Sequence, residues 1–408
     1  MPFDVLYIHQ DGSLTGSAIS LRNLLLAVDR EEIHPRVLLA ADGKARDLYE
    51  SLGVPVDVIP MRFYGTVPGA HWFEATFYLN WLALFPNPRL AGYLREKKPD
   101  IVHINDKAML AAGHVAAKMG FPVVWHLRSS YNISHSKFQA WVSKQIIRHT
   151  ATQLVAISED ECDGFDGLNN LHVIYNSVDF EVAETAIKLR QPTRSSLGIG
   201  HDEIVIGMVG QLSKIRGAWD FIEIAGLVRK KLPNAKLRFV ILAHIPSREH
   251  RTLGWRERLG IVDASHPEDK ARRLAQNAGI ADCLLITGYR SDALSVIAAM
   301  DIYVSCNHYG AMGRPPFEAM AVGVPVAAWT GHSGKSRILV DHETALVVPR
   351  WDKLALAEVV VRLASDQELR SSMGRRGREY SRQNFDPYHN ADMVQSIYHQ
   401  ILRKEKGL

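Results

Sequence analysis

Short apolar runs rich in valine and isoleucine alternate with amphipathic stretches along nearly the whole chain. Runs that are apolar on both faces are what buried parallel strands require, and the helical stretches between them supply the crossovers of βαβ units. The first series reads FDVLYIH, RVLLA, VPVDVIP, DIVHIN, FPVVWHL, TQLVAIS and LHVIY, and ends near Asp179. After a polar segment, RQPTRSSLGIGHDE, a second series runs through IVIGMVG, KLRFVIL, CLLIT, DIYVS, VPVAAW and ALVVP. The pattern predicts an α/β protein of two doubly wound domains, 1–180 and 190–385, joined near residues 180–200. Ligands of such sheets bind at the carboxyl ends of the strands, so a cleft between facing edges is the expected site. The stretch 386–408 is helical in pattern and can pack back on the first domain.

Length makes the same case independently, because 408 residues exceed the roughly 250–300 at which one hydrophobic core stops growing. With 47% hydrophobic and 23% charged residues, the composition is that of a soluble globular protein. A net charge of +4 suits an anionic small ligand or an acidic membrane surface and gives no argument for nucleic acid. Three scattered cysteines, Cys162, Cys283 and Cys306, form neither a disulfide framework nor a zinc signature. The opening MPFDVLYIH enters a strand-like run without a basic, apolar leader, so a cytoplasmic location is expected. One segment breaks the rhythm. HWFEATFYLNWLALF, from His71 to Phe85, carries six aromatic residues, too few apolar positions to span a bilayer; it reads as a core or inter-lobe helix, or as a membrane-facing or acceptor-facing surface.

Candidate chemistry concentrates after particular strands. TGHSGKS, Thr330 to Ser336, resembles a phosphate loop, but a P-loop needs glycine where Trp329 stands. It reads either as a turn that offers backbone N–H groups to a phosphate or as a plain strand-to-helix loop. In VIGMVGQLSKIRGAWDF, Val205 to Phe221, Lys214 and Arg216 occupy the turn before a helix, where cations oppose the helix dipole and so suggest an anion nearby. Neither GMVGQL nor GSLTGS supplies a dinucleotide fingerprint, and no Asp-x-Asp or metal-spaced cluster occurs, so neither NAD nor a divalent metal is implied. Pro315 and Pro316 suit a first helical turn, and the dipole stabilises Glu318 there; the small residues of EAMAVG would let that helix approach a ligand.

GRPPFEAMAVGVPVAAW, preceded by TGYRSDALSVIAAMDIYVSC and followed by ETALVVP, resembles the carboxyl-terminal domain of the family-4 retaining glycosyltransferases, which have the GT-B fold of two Rossmann-like domains. DGSLTGSAISLRNLLLAV resembles that family's amino-terminal glycine loop and helix, VVWHLRSS its histidine-bearing strand, VIYNSVD its crossover, and VGQLSKIRGAWDF its basic loop. The resemblance implies a cytoplasmic, metal-independent hexosyltransferase that uses a nucleotide-sugar as substrate, needs no further cofactor, and serves an acceptor that is a glycan, lipid or small molecule, with peripheral membrane contact an open alternative. It puts Glu318 on the ribose hydroxyls, Arg216 on the diphosphate, and His126 near the donor sugar. Lys214, Gly313 and Arg314 join the donor site, and Gly16 with Ser17 form the loop facing donor or acceptor.

Three positions depart from the family pattern. Gln211 stands in place of an arginine, Gly310 in place of a glutamate, and Ser336 or Arg337 in place of another glutamate. Lys214 can replace the missing cation, and Asn307, His308 and Tyr309 are candidate substitutes beside Gly310. Two alternatives therefore accompany the transferase: a silent nucleotide-sugar-binding homologue, and a nucleotide-sugar epimerase on the same scaffold.

Overall fold

The computed structural model describes residues 2–10, 12–61, 87–129, 137–243, 245, 265–308, 312–331 and 334–405. The aromatic segment 71–85 and Gly310 with its neighbours 309 and 311 lie outside the described residues.

All thirteen apolar runs form strands, in two wholly parallel sheets. The first contains β1 (Phe3–His9), β2 (Ile33–Leu39), β3 (Val56–Val58), β4 (Ile101–Ile104), β5 (Val123–Leu127), β6 (Gln153–Ala156) and β7 (Leu171–Val173), in the order β3-β2-β1-β4-β5-β6-β7. The second contains β8 (Ile204–Val209), β9 (Leu237–Leu242), β10 (Leu284–Ile286), β11 (Ile302–Ser305), β12 (Val326–Trp329) and β13 (Ala345–Val348), in the order β10-β9-β8-β11-β12-β13. Strand order reverses between β1 and β4 in one sheet and between β8 and β11 in the other. These are the switch points beside which doubly wound folds bind ligands. The turn before α1 (Gly16–Ala27) and the loop carrying Lys214 and Arg216 follow β1 and β8, so both sit there.

The chain divides into Met1–Ser177 with Phe385–Leu408, and Val178–Asn384. In the first unit, Tyr7, Val37, Val124 and Val155 pack one face of the sheet against α1 and the carboxyl-terminal helix Pro387–Glu405, whose Ala391, Val394, Ile397, Tyr398 and Ile401 are buried. The helical spacing of these residues makes one apolar stripe, which explains why this last helix belongs to the first unit. Leu6, Ile8, Val102 and Trp125 bury the other face. In the second unit, Phe221, Ile224 and Val228 of α8 (Ala218–Lys231) pack on Phe239, Ile241 and Val304. Among the described residues no helix is long and apolar enough to cross a membrane.

The polar segment expected to join the domains is built into the second one. Residues 190–196 are helical, and two arginines staple them down. Arg190 donates to Asp301 Oδ1 at 2.6 Å and to the carbonyls of Ala298 and Met300; Arg194, nearly fully buried, donates to Asp301 Oδ2 at 3.1 Å and to the Ala299 carbonyl. Asp301 Oδ2 also accepts the Val205 N–H at 2.8 Å, which fixes the start of β8. A segment largely exposed is thus pinned to the second unit because one carboxylate and the carbonyls of a helix end match its two guanidinium groups.

Asp301→Ala leaves both guanidinium groups facing helix carbonyls with no carboxylate. It is expected to lower stability by about 3–5 kcal/mol, the scale of a buried pair broken from one side. Urea unfolding measures it, and a loss below about 1 kcal/mol would show that the arginine carbonyl contacts suffice.

Candidate functional site

At the carboxyl edge of the second sheet, the loop between β8 and α8 is held by its own backbone and by the segment after β11. Gly217 N–H donates to the Lys214 carbonyl at 2.9 Å, and His308 N–H donates to the Ile215 carbonyl at 2.8 Å. Gly217 has φ +79° and lies so close to the neighbouring chain that a Cβ would stand 2.1 Å from the Cys306 carbonyl oxygen. Only glycine satisfies both conditions. A second clasp comes from side chains: His308 Nε2 lies 2.8 Å from Asp220 Oδ2, while Lys353 Nζ pairs with Asp220 Oδ1 at 2.8 Å and Glu223 at 2.6 Å. The loop projects Lys214 into solvent and keeps Arg216 half-buried.

Glu318 stands in the first turn of the short helix Pro315–Ala321, with Pro315 and Pro316 opening it and Gly313 at φ +72° before it. Arg314 Nε and Nη2 donate to Glu318 Oε1 at 3.1 and 3.0 Å. Two residues nominated separately from the sequence are therefore one unit: the arginine orients the carboxylate through a single oxygen. Beneath them lies Tyr303, whose hydroxyl pKa is pushed up by burial first, then by the Cys306 thiol and the Glu318 charge, and is drawn down by the Arg216 charge. The Glu318 charge on the helix Pro315–Ala321 and the Arg216 charge on the loop after β8 thus both bear on the Tyr303 hydroxyl, with opposite sign. The TGHSGKS stretch leads from β12 towards β13 with no helix among its described residues, so neither a P-loop nor a strand-to-helix turn is formed; buried Ile338 and Leu339 fill that connection instead.

On the first sheet, Thr15 caps α1, its Oγ1 accepting the Ala18 N–H, so Gly16 is exposed and Ser17 half-buried at the helix start. The Ser17 carbonyl accepts Asn105 Nδ2 at 3.3 Å. Gly12 is forced by backbone approach, since a Cβ there would lie 2.3 Å from Gly43 N.

His126, which the resemblance puts near the donor sugar, is the penultimate residue of β5, at the carboxyl end of the strand. It lies inside β5, 4% exposed, on the face covered by the carboxyl-terminal helix. Its Nδ1 is 3.1 Å from His103 Nε2, and His103 Nδ1 is 2.6 Å from the Tyr398 hydroxyl, which reaches Tyr7. Burial, the nearby Arg128 charge and His103 hold the His126 imidazole well below its ordinary pKa, so it is neutral. Arg128 Nη2, which can only donate, lies 3.3 Å from the same Nδ1; the His126 proton therefore sits on Nε2. That atom has no hydrogen-bond partner among the described residues, and His126 lines a cavity of about 20 Å³ together with Ser20, Asn176 and Asn390.

The residue at the strand end is Arg128. Its Nε donates to Asn105 Oδ1 at 2.6 Å and its Nη1 to Asn176 Oδ1 at 2.9 Å. Beside it, buried Asp106 accepts Ser129 Oγ at 3.0 Å, and Lys107 donates to the Ser129 carbonyl at 3.1 Å. Burial lowers the Lys107 amine to about 8 and raises the Glu161 carboxyl to about 8. Arg128, Asn105, Asn176 and Gly217 were not singled out as site residues from composition or motif, whereas His308 was named as a candidate substitute beside Gly310. The available signal was modest: each polar residue follows an apolar run directly, at the end where such sheets bind ligands.

The family model described as group 1 glycosyl transferases matches residues 190–380, and the model of glycosyltransferase family 4 matches residues 14–182. The capsular polysaccharide biosynthesis glycosyltransferase CapM of Staphylococcus aureus is 25% identical over 66% of this chain and 67% of its own length. D-inositol 3-phosphate glycosyltransferase of Paenarthrobacter aurescens is 26% identical over 57% of this chain and 53% of its own, so that match spans about half of the relative. Among solved structures, HepE of Anabaena in complex with UDP and glucose superposes with a TM-score of 0.73 at 19% identity over 100% of both chains. Sucrose-phosphate synthase of Thermosynechococcus elongatus gives 0.72 at 17% over 98% of this chain and 100% of its own. At these identities the structural matches speak for the fold.

Gly217→Ala is expected to destabilise the second unit, by about 1–3 kcal/mol from the backbone conformation alone, because a side chain strains the left-handed region and meets Cys306. Urea unfolding would register the loss. Wild-type stability would mean that the loop can leave Cys306 without cost.

Proposed function

This chain belongs to glycosyltransferase family 4 and has the GT-B fold, and from that premise we propose that it transfers a sugar from a nucleotide-sugar donor to a glycan or related acceptor, retaining anomeric configuration and using no metal ion. The observation that carries the donor site is that Glu318, oriented by Arg314, and the loop after β8 that bears Lys214 and Arg216 both stand at the carboxyl edge of the second sheet. A carboxylate with one oxygen oriented by arginine suits a ribose diol, which presents two hydroxyl donors. Arg216, with Lys214 beside it, would meet the diphosphate, and Lys214 stands in for the cation absent at Gln211.

In this reading the cations do what a divalent metal would otherwise do: they stabilise the charge that develops on the phosphate oxygen as the glycosidic bond breaks. The helix after the basic loop contributes its amino-terminal dipole to the same end. Retention and the hexosyl donor follow from the family resemblance and stand as parts of this proposal. The named relatives act in capsular polysaccharide synthesis and on D-inositol 3-phosphate, and the structural neighbour binds UDP and glucose, which supports a nucleotide-sugar donor and a hydroxyl-bearing acceptor.

Glu318→Gln keeps the size of the side chain and removes the charge-assisted contact. Loss of about 1.5–3 kcal/mol should weaken nucleoside diphosphate binding roughly 10- to 150-fold with little change in melting temperature. Calorimetry that finds equal affinity would remove Glu318 from the site. Arg216→Ala should lower turnover more than binding of the bare nucleoside, since the cation acts on the leaving phosphate. Equal losses for nucleoside and nucleoside diphosphate would contradict that role. Conversion of the donor to a new nucleotide-sugar without acceptor would instead identify an epimerase.

A further inference from the structure

We propose that His308 is a positioning residue for the basic loop, holding Lys214 and Arg216 where they would meet the diphosphate of the donor. This rests on the glycosyltransferase reading and deepens its donor site.

His308 grips the loop at two points. Its backbone N–H donates to the Ile215 carbonyl at 2.8 Å, and Ile215 lies between the two cations in the chain. Its Nε2 lies 2.8 Å from Oδ2 of Asp220, which stands in the first turn of α8, the helix that follows the loop. A carboxylate only accepts, so Nε2 carries the proton of this bond. Arg216 and Gly217 stand between those two points, and a short stretch tied at both ends has few conformations left to it. The tie is enclosed: the Asp220 side chain is 9% exposed, and its other oxygen pairs with Lys353 Nζ at 2.8 Å. Gly217 fixes how closely the loop lies to Cys306, and His308 fixes the loop on either side of that contact.

The histidine is itself immobilised. Arg350 Nη2 donates to the His308 carbonyl at 2.9 Å, and the Arg350 guanidinium lies 5.0 Å from the centre of the Trp351 ring. The imidazole meets buried Trp329 edge to face, with ring centres 5.6 Å apart and planes at 80°. Contacts therefore reach His308 from the loop after β8, from α8, from β12 and from the segment after β13. The resemblance made His308 a candidate substitute for the glutamate absent at Gly310. With Nε2 engaged by Asp220, it serves the donor site from behind, through the loop that carries the cations.

The test uses three variants of the full chain. His308→Ala removes the Asp220 contact and keeps the backbone N–H, His308→Asn is too short to put a donor where Nε2 stands, and His308→Gln can place its amide nitrogen there. In calorimetry well below the melting temperature, the alanine and asparagine variants should bind nucleoside diphosphate at least about tenfold more weakly than wild type, while bare nucleoside affinity stays within about twofold. His308→Gln should recover to within about threefold of wild type. Hydrogen exchange of the Gly217 amide, whose bond to the Lys214 carbonyl closes the loop, should quicken in the first two variants and slow again in the third. Wild-type diphosphate affinity in His308→Ala, or equal losses for nucleoside and nucleoside diphosphate, would overturn the proposal. A wild type that binds no nucleoside diphosphate would sink the donor site of the glycosyltransferase reading instead. Gly217 exchange then decides whether His308 holds the loop, and unchanged exchange in His308→Ala overturns that too. If the alanine variant does not fold, the asparagine variant carries the comparison.

Discussion

A glycine backbone resting on a carbonyl sets the geometry of the second sheet's ligand edge. Gly217 must adopt a left-handed conformation, and it must lie where even a methyl group would overlap Cys306. From that contact follow the backbone bond between His308 and Ile215, the alignment of His308 with Asp220, and the place of Arg216 on the edge. The switch point between β8 and β11 opens a gap in the sheet's cover, and the Gly217 contact closes it with backbone instead of side chains. Backbone cannot shrink or rotate away, so the loop has little freedom to drift.

Buried polar groups tell a second story, in which each half of the protein resolves desolvation in its own manner. Taking a charge from water costs several kcal/mol unless partners replace the lost solvation. At Asp301 the replacement is direct neutralisation, and the result is a joint. Around Arg128 a ring formed by the amide oxygens of Asn105 and Asn176 and the imidazole of His126 takes part in the replacement, and the result is a guanidinium held in one plane. The chain from Tyr7 through Tyr398 and His103 to His126 explains how such a ring stays rigid: the carboxyl-terminal helix supplies Tyr398 and so helps to orient a side chain at the opposite end of the network.

Much of this was legible in the sequence, for physical reasons. Parallel strands buried on both faces leave unbroken apolar runs, so every strand could be read and the two-sheet plan with it. Arg216 drew attention because a cation beside a helix start opposes the dipole, and Glu318 because small residues surround it in the first turn. What anchors the stretch 190–203 was not legible, because composition reports average exposure, whereas Arg190 and the buried Arg194 are held by a carboxylate more than a hundred residues away. His126 drew attention as a histidine in a strand; that its imidazole turns towards His103 and the last helix depends on strand order, which no local pattern encodes. Gly217 looked like an ordinary turn glycine, since its need comes from Cys306, 89 residues along the chain. Asn105 and Asn176 carry no signal alone and gain one only when β4, β5 and β7 bring them to a single guanidinium.

The contrast between the two edges bears on how a reaction without a metal ion could be organised in the proposed mechanism. A leaving diphosphate needs positive charge that does not bind its ground state so tightly that the gain is lost. On the second edge that charge lies on the loop next to Glu318, where the carboxylate Arg314 orients keeps the local field mixed. On the first edge Asn105, Asn176 and His126 fix the plane of the Arg128 guanidinium. Rigid support of that kind serves orientation, and orientation is a large part of what positioned groups contribute to rate. The amide ring around Arg128 and the glycine contact at Cys306 are thus two solutions to one problem, the immobilisation of a cation at the end of a parallel sheet.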